Sequence, residues 1–130
     1  MNIVIISNGP GLKDIVKKFG HSSEWIPNSI NDSSINYRVL KAYEGEICNI
    51  DKYDGFIITG SKYSVYDDLE WISALKKFIN SIILQSKPIL GICFGHQILA
   101  QCLGGQVEQN KLGWELGSYS VNLTNEGLKH

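Results

Sequence analysis

Pro88-Ile89-Leu90-Gly91-Ile92-Cys93-Phe94-Gly95-His96-Gln97-Ile98-Leu99 decides the fold, because it reads as a buried strand running straight into a helix. Pro88–Ile92 is a short apolar run opened by proline, the pattern of a buried strand. Ile98, Leu99, Cys102 and Leu103 then recur at helical spacing and stop at Gly104-Gly105. Cys93 falls at the junction. Glycines two positions before and two after it allow a sharp bend without side-chain collision, as in G-x-S-x-G elbows. A helix N-terminus offers free N–H groups and partial positive charge, which favour a thiolate, the nucleophilic form. On these residues alone Cys93 reads equally well as an acyl-transfer nucleophile or as a small buried hydrophobe.

Working outward, strands and helices alternate. Asn2–Ser7 is a nearly continuous β-branched run, as expected of a strand buried on both faces. Leu12, Ile15, Val16 and Phe19 predict a short amphipathic helix closed by Gly20. Asn28–Asn36, rich in Asn and Ser, predicts a surface loop. Tyr37–Tyr43 predicts a second strand and Phe56–Thr59 a third, stopped by Gly60. Trp71, Ile72, Leu75, Phe78, Ile79, Ile82 and Ile83 form one stripe of a long helix, with Asp67 and Glu70 spaced as a capping box. Beyond the elbow helix, Trp114–Leu123 alternates as a strand would. The expected fold is therefore α/β, a doubly wound, mostly parallel sheet with its chemistry at the C-terminal strand ends.

The chain has 130 residues, enough for one modest domain, and a formal net charge of −1, which gives no nucleic-acid footprint. No apolar run approaches a membrane span, and the N-terminal segment reads as a first strand, not a signal peptide. Three cysteines, Cys48, Cys93 and Cys102, make an odd count without a C-x-x-C pair. That usage predicts neither a disulfide framework nor a zinc site and suits a reducing cytoplasm.

Gly91-Ile92-Cys93-Phe94-Gly95-His96-Gln97 resembles the nucleophile motif of class I glutamine amidotransferases. In that family a cysteine attacks the side-chain amide of glutamine and releases ammonia through a glutamyl thioester. Tyr43-Glu44-Gly45-Glu46, Ser64-Val65-Tyr66-Asp67-Asp68 and Gly113-Trp114-Glu115-Leu116-Gly117 are similar to the branch containing the amidotransferase domain of GMP synthase. The resemblance thus covers nearly the whole chain. Such chemistry needs two preorganised N–H donors for the tetrahedral oxyanion. The residue after the nucleophile, Phe94, supplies one. By resemblance the second is the N–H of Ser61, with Gly60 giving its loop freedom, and Gln97 helps to bind glutamine. Many family members have glycine and proline where this chain has Ser61 and Lys62. Asn8-Gly9-Pro10-Gly11 looks like an oxyanion loop but follows the first strand, so it is read as a turn at the rim of the site.

The resemblance also implies a histidine base and its carboxylate in an H-x-E pattern, which this sequence does not contain. Residues 1–130 are accordingly read as the N-terminal portion of such a domain, incomplete at its C-terminal end and exposing an unpaired sheet edge. The leading expectation is an amidotransferase-type hydrolase acting on glutamine, with a synthetase or other ammonia acceptor as partner. The alternatives are a γ-glutamyl hydrolase or peptidase and a non-catalytic binding protein. No cofactor or metal is implied by the hydrolysis.

Overall fold

The computed structural model describes residues 1–113 and 115–129. Four strands, β1 (Asn2–Ser7), β2 (Asn36–Lys41), β3 (Gly55–Ile58) and β4 (Ile89–Gly91), form a wholly parallel sheet in the order β2-β1-β3-β4. Helices α1 (Lys13–Phe19) and α2 (Ser22–Ile30) carry the chain from β1 to β2. Helix α3 (Glu70–Leu84) carries it from β3 to β4, and α4 (Phe94–Cys102) follows β4. The two crossovers leave the centre of the sheet in opposite directions, so right-handed connections place their helices on opposite faces. The doubly wound expectation holds. Its topological switch point lies between β1 and β3, where Ile6 pairs with Ile58 at the C-terminal ends of both strands.

Alternation along each strand sorts the core. Val4, Ile6, Leu40, Phe56 and Ile58 face α3 and α4 and pack with Ile72, Leu75, Ile79, Ile82, Phe94 and Ile98, all buried. The predicted stripe of α3 is therefore the face that it buries. Each of those aliphatic side chains contributes on the order of 1.5–3 kcal/mol by leaving water. The opposite face is less covered: Ile5 is buried, yet Leu90 is 56% exposed. An open apolar cleft of about 300 Å³ lies there between Ile3, Ile30, Tyr37, Ile57 and Leu90. β4 is an edge strand, and no strand among the described residues pairs with its outer side.

Four sequence expectations need correction. Asn28–Ile30 is helical, the last turn of α2, and the loop begins only at Asn31, whose φ of 50° caps that helix. His21 starts α2 instead: its ring accepts from Ser23 N while Glu24 bonds back to the His21 N–H. Asp67 does not cap α3. Its Oδ2 accepts from Ser64 N at 2.9 Å, tightening the loop before the helix, and Leu69 takes the N-cap position. Residues 115–123 contain no strand; they are exposed and make no ladder with either edge of the sheet, because alternation of polarity does not by itself bring a segment to an edge. Trp114 lies outside the described residues. Finally, β2 ends at Lys41, and Ala42–Glu44 tightens into one 3₁₀ turn closed by Gly45.

Candidate active site

Three loops leave the C-terminal ends of adjacent strands: Asn8–Gly11 after β1, Thr59–Lys62 after β3 and Ile92–Cys93 after β4. Cys93 is the N-cap residue of α4, with φ 54° and ψ −111°. This lies outside the ordinary left-handed basin; such a conformation costs about 1–3 kcal/mol and persists only where the surroundings hold it. They do. Ile92 N donates to Ile58 O at 2.9 Å, Gly95 N to Ile92 O at 2.9 Å and Gln97 N to Cys93 O at 3.0 Å. The flanking glycines are sterically required: a Cβ on Gly91 would stand 2.6 Å from the Gly95 carbonyl, and one on Gly95 would overlap the Ile58 carbonyl oxygen. The bend leaves Cys93 exposed at the top of the sheet.

Phe94 is buried and stacks on Trp71, with ring centroids 5.8 Å apart, while Trp71 meets Tyr63 edge-on at 5.7 Å. An aromatic row thus joins the elbow to the loop after β3. That loop passes close by: a Cβ on Gly60 would lie 3.5 Å from Cys93 Cβ and 4.0 Å from Sγ. Gly60 does not have a positive φ, so its contribution is open space beside the sulfur, where the sequence suggested backbone freedom. Gln97 lies one helical turn past Cys93 and is exposed. Cys93, Phe94, Gly60, Ser61 and Gln97 therefore share one end of the sheet.

Asn8 carries no signal in the sequence beyond its place after an apolar strand, yet it anchors this end. It is fully buried. Its Nδ2 donates to Thr59 O at 2.7 Å and its backbone N to Thr59 Oγ1 at 3.3 Å, while Oδ1 has no partner among the described residues. Thr59 Oγ1 in turn donates to Gly60 O at 3.0 Å. The Asn8-Gly9 step thus borders the loop that carries Gly60 and Ser61. His21 is half-buried beneath it, Nε2 donating to Gly9 O at 2.9 Å.

The other two thiols differ from Cys93. Cys48 and Cys102 are partly buried, and burial pushes both thiols up from their ordinary value. A small maleimide at neutral pH is therefore expected to modify Cys93 first, with Cys48 and Cys102 following as the pH is raised. Peptide mass mapping after brief exposure checks this, and equal labelling of all three thiols would contradict it. Among the described residues no group of three or more His, Cys, Asp or Glu side chains could hold a metal ion, and no helix is long and apolar enough to cross a membrane.

A strained cysteine between a parallel strand and a helix, at the C-terminal edge of a doubly wound sheet, defines an α/β protein with a G-x-C-x-G strand-to-helix elbow. The model of the family described as glutamine amidotransferase class-I matches residues 12–128, and the chain belongs to that family. It is 43% identical over 83 residues to a Saccharomyces cerevisiae protein named "Putative glutamine amidotransferase", covering 61% of this chain and 33% of that one. It is 34% identical over 93 residues to γ-glutamyl peptidase 4 of Arabidopsis thaliana, covering 72% of this chain and 37% of that one. A Leptospira interrogans protein named "Probable GMP synthase" is 38% identical over 87 residues, covering 67% of this chain and 13% of its own length. The chain spans about a third of the length of the first two relatives.

Proposed function

We propose that Cys93 is the nucleophile of a hydrolase acting on the side-chain amide of glutamine or of a γ-glutamyl compound. The observation that carries this reading is the positive-φ elbow at Cys93, held between two glycines that admit no side chain. The thiolate adds to the amide carbonyl, and the oxyanion accepts from the N–H groups of Phe94 and Ser61. The C–N bond then breaks, and the nitrogen leaves with a proton as ammonia or an amine. Water cleaves the resulting thioester, giving glutamate and returning the thiol. Gln97, one turn along α4, contacts the substrate. The proton acceptor is a group other than His21, whose ring nitrogens are engaged by Ser23 and Gly9.

Similarity to γ-glutamyl peptidases supports a second reading, in which the leaving nitrogen belongs to a peptide and not to ammonia. Both readings require a pocket that recognises the γ-glutamyl group. The test is alkylation by the chloromethyl ketone analogue of glutamine: the thiolate displaces chloride and a C–S bond forms. One added mass at Cys93, slowed by free glutamine and absent in Cys93→Ala, is expected. Folded protein that stays unlabelled, or that labels equally fast with glutamine present, would count against a γ-glutamyl pocket at Cys93 in this chain.

A further inference from the structure

The loop that follows β3 is tied to the loop that follows β1 through the side chain of Ser61. The hydroxyl of Ser61 donates to the Asn8 carbonyl at 2.6 Å, crossing from the β3 loop to the β1 loop at the switch point. The same oxygen accepts from Tyr63 N at 3.1 Å. Its single proton and an acceptor site are therefore both in use. A hydroxyl so engaged is poorly placed to contact substrate or act as a nucleophile, but well placed to pin a loop. Gly9 packs against it, a Cβ there lying 3.6 Å from Ser61 Oγ. On either side the loop is held further, by Thr59 Oγ1 on Gly60 O and by Tyr63 against Trp71.

From this we infer that Ser61 has two separable roles: its N–H meets the oxyanion, and its hydroxyl positions that N–H against Cys93. The inference rests on the proposed function and adds to it. Ser61 is a positioning residue through Oγ. The strap fixes the φ/ψ of the Gly60–Ser61 step and so the direction of the Ser61 N–H. An oxyanion donor acts through alignment, and a displacement of about 1 Å can cost about a hundredfold in rate. Removing the hydroxyl while keeping the N–H isolates this role.

The experiment follows the alkylation of Cys93 by the same chloromethyl ketone, whose ketone oxygen occupies the oxyanion position, and separates the saturation constant from the limiting rate. Ser61→Ala is expected to lower the limiting rate about ten- to a hundredfold while the saturation constant moves less than about twofold. Ser61→Gly is expected to lose at least as much. Ser61→Thr, which restores a hydroxyl, is expected to recover most of the rate. A purely structural role would instead lower the melting temperature and weaken saturation together. Ser61→Ala labelling as fast as the wild type, with glutamine protection intact, overturns the strap alone. A wild-type chain without glutamine-protected labelling overturns the strap and the proposed function together. Hydrogen exchange of the Tyr63 amide in the unaltered chain is the check independent of variants: protection is expected, and exchange at the rate of an open loop overturns the strap.

Discussion

Gly95→Ala is expected to destabilise the chain by about 3 kcal/mol or more, although helix propensity argues the other way. Gly95 is in the first turn of α4, and alanine is favoured over glycine inside a helix by about 1 kcal/mol. That gain is overruled by position. The added methyl would occupy the space of the Ile58 carbonyl oxygen, at the end of β3, with Ile58 Cβ also within 2.9 Å. Both obstacles belong to a strand in the middle of the sheet, so no side chain can rotate away. Relief requires α4 to lift off β3, which releases the strained Cys93 backbone and breaks the bond from Ile92 N to Ile58 O. The effect on the site therefore accompanies the loss of stability.

Gly60→Ala is the matched comparison. Its Cβ would meet Cys93 Cβ at 3.5 Å, an ordinary contact, and its backbone is not in the left-handed region. Its stability is expected to stay within about 0.5 kcal/mol of the wild type. Chemical denaturation of the two variants checks the pair. A Gly95→Ala chain as stable as the wild type would show that the close seating of α4 on β3 is not a requirement of the elbow.

The parts of this protein legible in its sequence are those fixed by neighbours in the chain. Gly91, Cys93 and Gly95 form a local pattern because the bend itself is local. The stripe from Ile72 to Ile83 is legible because one helix face meets one sheet face over its whole length. Helix α2 was obscured because Pro27 and the Asn-Ser run after it are weak helix formers, and its start depends on the His21 ring in the capping role. Asn8 was illegible for a different reason. Its partners are 51 and 53 residues away, and parallel pairing of β1 with β3 brings them together only in the folded sheet. The alternation over 115–123 misled in the opposite sense, since a strand pattern specifies a strand only when the chain carries it to an edge.

Asn8→Asp should be the most pH-sensitive variant of this chain, and its sign can be worked out from one hydrogen bond. The amide Nδ2 of Asn8 donates to the Thr59 carbonyl at 2.7 Å inside a fully buried site. An ionised aspartate has no proton to give, so it would set a negative oxygen against the carbonyl oxygen in a site shielded from water. Uncompensated buried charge costs about 3–5 kcal/mol, unless the group takes up a proton instead. Desolvation and the facing carbonyl both favour the protonated form, so the carboxyl would titrate above its unfolded value in the folded chain. A group raised in this way contributes its stability below the unfolded value and loses it as the pH rises through the folded one. Asn8→Asp should accordingly approach the wild type near pH 4, where the acid can donate to Thr59 O, and fall away steadily towards neutrality. Asn8→Ala loses the same donor without introducing charge. It should cost about 1–3 kcal/mol, with little dependence on pH beyond that of the wild type. The two curves therefore cross: Asp above Ala in acid, Ala above Asp at pH 7. Denaturant titrations of both variants at a series of pH values measure the crossing. Parallel curves would mean that the Asn8–Thr59 bond does not join the two loops, and the switch point would then need another anchor to keep Gly60 and Ser61 beside Cys93.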